Sequence, residues 1–405
     1  MISLSTQKLQ KLSESLFLAA IFVLPFSIAA LEILLAASFI SWFAYKIIKR
    51  EAVAAENKIL LLVCFFLISS SVSAFYSGYP LLSMKGIVKI VKYTLIMLVA
   101  ADLFRNPENL KKLLFVGLTG FVILMADSFF QRFYGRDLVN RVPIHYADKQ
   151  IRLTGPYKFY GLLGAHLIAV LPLILSLTLA AWSSSNKKWK RFVMTCFLVL
   201  SGYLLYKTHS RGAWLAAFGS WLVFTILLRK KILIAALVLA LLVVPFLLPQ
   251  NALIHLDIER KEQSIVERYF LWDRALQVIR ARPWFGCGIN TYIHNYPKFD
   301  KTKSWRVPGY YAHNGYLQLA AETGLVSLSL FLFIIALSLS SGYRAFQKAL
   351  PEKKILIAGL ISGFVALLLQ AFVDTTFHNL QPATLIWFIA GLLIAVGQPN
   401  KRFIS

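Results

Sequence analysis

Apolar runs follow one another along most of this chain, separated by short breaks that carry basic residues or turn formers. A helix that crosses a bilayer needs about 20 mainly apolar residues, and about twelve such segments fit end to end. They are predicted at 14–30, 32–48, 58–76, 83–102, 111–129, 158–181, 191–206, 211–228, 231–249, 313–340, 354–373 and 379–397. The first run follows Lys8 and Lys11 and continues past Pro25 with no small-residue cleavage pattern, so it reads as an uncleaved helix rather than a signal peptide. This pattern predicts an all-α polytopic fold in three parts: helices within 1–249, one long hydrophilic loop at 250–312 that itself contains helix, and helices with a C-terminal tail within 313–405.

Inside the hydrophilic loop, Ser264 and Glu267 read as a capping box opening a helix that stops near Pro283. Ile265, Trp272, Ala275 and Ile279 recur at helical spacing on it, and Arg268 sits within that apolar stripe. A guanidinium on a face that seeks burial points to an anionic partner, with snorkelling as the plainer reading.

Composition agrees with the pattern: 58% of residues are hydrophobic, 15% are charged and the mean hydropathy is +0.66. Such a chain is a membrane protein. Its net charge of +25 does not indicate nucleic acid, because the basic residues fall between apolar spans, where anionic lipid headgroups are the natural partners. Cys64, Cys196 and Cys287 lie apart and imply neither a disulfide framework nor a zinc site. Alternate connections collect Lys46 to Lys58, Arg105 to Lys112, Lys187 to Arg191, Arg229 to Lys231, Arg344 to Lys354, and Lys401 with Arg402. The positive-inside rule makes that side, and both termini, cytoplasmic. The polar clusters that topology leaves unexplained then share the outer side.

Four of those clusters can carry chemistry. Tyr206-Lys-Thr-His-Ser-Arg211 puts an arginine at the start of a helix, where free backbone N–H groups also favour an anion. Lys85, Lys89 and Lys92 are spaced to stack on one face of a helix, which calls for a wet cavity or phosphates; snorkelling accounts for Lys85 more easily than for Lys92. The segment 131–157 carries Arg132, Arg136, Arg141, Lys149 and Arg152. His313 opens a predicted helix, while Glu322, nine residues on, falls on the opposite face and cannot orient it directly. Asp374 and His378 make a further outward patch that reads as structural, and Asp257-Ile-Glu259 is a weak candidate for metal. No phosphate-loop motif and no fixed-period repeat are present, so an ATP-driven mechanism has no support.

Thr208-His-Ser-Arg211-Gly-Ala-Trp, Arg268-Tyr-Phe-Leu-Trp272, Pro283-Trp-Phe-Gly-Cys-Gly288, His313-Asn-Gly-Tyr-Leu-Gln and Glu322-Thr-Gly324 together resemble the bacterial O-antigen ligase and polymerase superfamily, most strongly over residues 205–325. That resemblance implies an inverting, metal-independent GT-C type glycosyltransferase of the bacterial inner membrane that uses no cofactor and has its active site on the periplasmic side. Its donor would be a glycan on undecaprenyl pyrophosphate, and its acceptor, for a ligase, the lipid A core of lipopolysaccharide. Polymerases of repeat units and protein O-oligosaccharyltransferases are the related alternatives, and a transporter of lipid-linked glycan is the reading from another class. Carried over by motif, Arg211, Arg268 and His313 are the functional residues, with Arg274 a competitor for the place of Arg268 and Lys85, Lys89, Lys92 and Arg152 as secondary phosphate contacts.

Overall fold

The computed structural model describes residues 2–53, 56–147, 150–184, 187–229, 258–299 and 311–398. Before the hydrophilic loop it contains α1 (Ile2–Val23), α2 (Ile28–Lys49), α3 (Asn57–Phe75), α4 (Pro80–Leu103), α5 (Pro107–Tyr134), α6 (Tyr160–Ser184), α7 (Lys188–Lys207) and α8 (Arg211–Leu228). Within the loop are α9 (Ile258–Ala281), the single turn α10 (Tyr292–Asn295) and a 3₁₀ turn over Tyr296–Phe299. After it come α11 (Gly315–Lys348), α12 (Pro351–Gln370) and α13 (Leu380–Gly397). Seven of the described helices, α2, α3, α5, α6, α8, α11 and α13, are long and apolar enough to cross a membrane. The protein is an all-α polytopic membrane protein by that measure. The predicted helix 231–249, together with Lys149, Asp257, Lys401 and Arg402, lies outside the described residues.

Local chemistry accounts for where the boundaries depart from the apolar pattern. The first helix begins at Ile2 rather than 14, because the polar residues that precede the apolar run include good helix formers. It ends at Val23, ahead of Pro25, and Ser27 then caps α2 by accepting the Ala30 N–H at 3.2 Å. Residues 145–147 and 150–152 form an antiparallel strand pair, β1 and β2, that the helical pattern did not anticipate.

The last helix, α13, is almost wholly enclosed, packed between α4 and α11, while α12 lies against α6 and α8. Lipid tails are as apolar as leucine, so close approach and interhelical hydrogen bonds hold such bundles together. Gly359 and Gly363 bring α12 onto the Pro172 and Ala169 carbonyls of α6. Ser176 donates to the Ile355 carbonyl and Ser220 to the Ser362 carbonyl, both at 2.8 Å.

Contacts sort the connections into two ends. At one end Lys46 pairs with Asp102 at 2.9 Å, Lys112 with Glu14 at 2.7 Å and Arg344 with Glu56 at 2.7 Å. At the other, Asn140 donates to the Phe26 and Pro156 carbonyls, Arg282 to the Tyr76 carbonyl, and the Leu153 N–H to the Lys207 carbonyl. The basic breaks gather at the first end and the candidate residues at the second.

In the loop, α9 begins at Ile258, so Ser264 is an interior residue and the capping-box expectation is corrected. Glu259, Arg260, Lys261, Glu262 and Gln263 are all good helix formers and carry the helix upstream. The face that α9 buries is also rotated from the predicted stripe: Leu271, Ala275 and Val278 pack with Cys287, Tyr292, Tyr296 and Ala312.

Backbone hydrogen bonds splice the loop into α11. At Gly324 the helix breaks, with φ +82° and ψ 172°. The Leu325 N–H donates to the Pro283 carbonyl at 2.7 Å, while the freed Ala321 and Glu322 carbonyls accept the Cys287 and Gly288 N–H groups at 3.0 Å each. Three of the backbone groups exposed by the break thereby find partners, in keeping with the cost of leaving a buried one unpaired.

Candidate functional site

His313 is half-buried and holds a left-handed backbone at φ +47°, immediately before Asn314 caps α11. The Asn314 side chain accepts the Tyr316 and Leu317 N–H groups at 3.0 Å. The next residue, Gly315, donates its N–H to the Ala371 carbonyl at 2.7 Å and the Asp374 carbonyl at 3.1 Å. This stitches the start of α11 to the connection between α12 and α13. A non-glycine residue held at positive φ is a place where strain is tolerated, and such places cluster at functional sites.

Burial pushes the His313 imidazole below its ordinary value of 6.5, Asp374 opposes the shift, Arg268 reinforces it, and Glu267 opposes it. Arg268 and His313, 45 positions apart by their numbers, therefore share one electrostatic field. The ring is held neutral and able to accept a proton.

The two arginines of α9 separate clearly. Arg274 is buried in the loop core, over the Phe270 ring at 4.7 Å, bonded to Gln277 at 3.1 Å and 3.6 Å from the Asp273 carboxylate. Phe270, Asp273 and Gln277 all belong to its own helix. Arg268 lies six positions nearer the N-terminus, about 1.7 turns and so about 120° round the helix, half-buried, with its field on His313. The field that acts on the histidine is thus that of Arg268, while Arg274 lies in the loop core.

Arg211 is the first residue of α8 and is exposed. Ser210 provides no side-chain cap, and His209 before it sits at φ +49°. Gly212 packs against Val373 and Gly161 against the Asp374 carboxylate, so α6 and α8 both start at the connection that holds α11. Arg152, on β2, lies over the Tyr160 ring at 4.8 Å. Burial lowers the pKa of His209, and the fields of Lys207 and Arg152 lower it further, which places these cations around the same turn.

The three lysines of α4 do not act as one row. Lys85 is exposed, Lys92 is paired with Glu32 at 2.5 Å, and Lys89 donates to the His378 carbonyl at 2.5 Å. Lys89 also lines a cavity beneath the start of α11, with Tyr93, Asn290, Gln318, Glu322 and His378. Arg211, Arg268 and His313 are not among its lining residues, whereas Gly315 at the start of α11 and His378 of the 371–379 connection are.

Two features escaped the sequence reading. Gln318 Nε2 reaches His378 Nδ1 at 3.3 Å, and burial drives the His378 ring to about 3, so it stays neutral. Glu322 accepts the Asn290 N–H at 2.9 Å and the Tyr292 N–H at 3.2 Å. The Glu322-Thr-Gly324 and Gly286-Cys-Gly288 motifs were visible as text, but their purpose is the splice between two distant segments.

Residues 196–332 match the family model described as O-antigen ligase. No curated protein matches the chain. The matched stretch contains Arg211, Arg268, His313 and Glu322, and over it the chain is similar to the O-antigen ligase family.

Proposed function

We propose that the protein is an O-antigen ligase, a GT-C type enzyme that moves a glycan from undecaprenyl pyrophosphate to the lipid A core. The reading places about twelve spans in the bacterial inner membrane, with the 371–379 end facing the periplasm and the basic end facing the cytoplasm, as the positive-inside rule requires. The observation that carries it is the Arg268 field on a neutral His313, inside the segment that matches the family.

In this mechanism the acceptor sugar hydroxyl attacks the anomeric carbon opposite the pyrophosphate. A new glycosidic C–O bond forms as the anomeric C–O bond to phosphate breaks, with inversion. The hydroxyl proton passes to His313, whose depressed pKa keeps the acceptor form present at neutral pH. Arg268 and Arg211 take up charge that grows on the departing pyrophosphate; permanently charged guanidinium forks are suited to that and need no metal. Arg152 and Lys85 provide further positive charge at the same end, and Lys89 and Lys92 stand deeper in the bundle, each with a partner of its own. The membrane keeps donor and acceptor in one plane, which lowers the entropy cost of their meeting.

Reconstitution with undecaprenyl-pyrophosphate glycan and rough lipopolysaccharide tests the assignment by the appearance of a joined product. Elongated lipid-linked polymer without joining would make the protein a polymerase, and movement of donor across the bilayer without bond formation would make it a transporter.

A further inference from the structure

Arg268 is carried on a helix that lies outside the bundle, so something must hold its distance from His313. The described contacts of α9 form a chain back to α11. Glu322 of α11, 6% exposed, accepts two consecutive-turn N–H groups, from Asn290 at 2.9 Å and Tyr292 at 3.2 Å. The Tyr292 side chain, fully buried and stacked on Tyr296, donates its hydroxyl to the Leu271 carbonyl of α9 at 3.0 Å. Leu271 is three positions, about one turn, from Arg268. The carbonyl of Leu271 is already the acceptor of a helical bond, so the tyrosine uses its second lone pair without disturbing α9.

We infer that Glu322 and Tyr292 form a positioning relay that holds α9, and with it Arg268, at a set distance from His313. This rests on the roles given above to Arg268 and His313, and it goes beyond them by assigning work to two residues that touch no substrate. A carboxylate suits the first link because it can accept from both N–H groups at once, where an amide would turn a donor toward one of them. The hydroxyl suits the second because phenylalanine fills the same space but leaves the Leu271 carbonyl untethered.

Among the described residues, the charged groups whose fields act on His313 are Asp374 from the α12–α13 connection and Arg268 with Glu267 from α9. Of the two α9 groups, Arg268 lowers the imidazole pKa by more than Glu267 raises it, so letting α9 drift is expected to raise it. The test is Tyr292→Phe in the full chain, reconstituted in lipid. His313 is titrated by its rate of modification with diethyl pyrocarbonate, taken as the difference from His313→Ala, so that no turnover is needed. The expected midpoint moves to higher pH, in the same direction as in Arg268→Gln, and moves no further when both changes are combined. Donor KM rises about three- to tenfold, the factor one lost hydrogen bond can supply, with kcat changed less. An unmoved midpoint, or a shift that adds in full to that of Arg268→Gln, overturns the relay; a uniform loss of rate with an unmoved midpoint does so too, because it marks a structural role alone. Transfer by His313→Ala judges the reaction itself, so failure of that reading and failure of the relay are told apart.

Discussion

Gly324 lies directly against the Trp284 carbonyl, at a backbone angle that a side chain would resist. The contact lets the loop from Pro283 to Gly288 take the place of a helical turn in α11. Gly324→Ala is expected to cost on the order of 1–3 kcal/mol from the backbone alone, before the overlap with Trp284 is counted. Thermal unfolding of purified protein measures it. Gly117→Ala, within α5 with nothing near its missing Cβ, is the control and should stabilise by about 0.5–1 kcal/mol.

Arg268 and Arg274 should separate by phenotype. Arg268→Lys keeps charge but loses the fork, so donor binding weakens and transfer falls about tenfold or more, as for a lost bidentate contact. Arg274→Met should lower the unfolding temperature and leave donor KM near that of the parent, since its guanidinium is held by Phe270 and Gln277. Steady-state kinetics beside thermal unfolding reads both.

The pH profile follows from His313. The base form is required, and burial with Arg268 holds its pKa below 6.5, so transfer is fully present at neutral pH and is lost as pH falls through that depressed value. Asp374 raises the pKa, so Asp374→Asn should move the acid limb to still lower pH. Rates of product formation between pH 4 and 8, about two units either side of the unperturbed histidine, check the direction. His313→Ala should abolish transfer while retaining donor binding.

At the basic end, Lys46 and Asp102 are each about nine-tenths covered, and Trp42 also donates to Asp102 at 2.7 Å. Lys46→Met leaves a buried carboxylate without its cation and should destabilise by about 3 kcal/mol. Adding Asp102→Asn should restore part of that, as read by unfolding in detergent.

Much of the bundle was legible because bilayer thickness sets a length for apolar runs, and each described helix of the bundle overlaps a predicted range, though α1 starts at Ile2 and ends ahead of Pro25. Motif order named Arg211, Arg268 and His313 as candidates. Sequence periodicity misplaced the buried face of α9, because that face is chosen by Cys287, Tyr292 and Tyr296, which pack on it from elsewhere in the chain. The same limit applied to Glu322: helical arithmetic rightly set it away from His313 but could not say that it would grip the turn at Asn290.

By itself the sequence determined the membrane character, the helical class and the residue types available for anion and proton chemistry, since each is written in runs and composition within a short window. Tertiary structure alone decided which of two arginines is buried in the loop core, which lysine is claimed by a carboxylate, and where α11 opens to receive the loop. Those choices depend on hydrogen bonds and fields between segments far apart in the chain, and such contacts leave no period for a linear pattern to show.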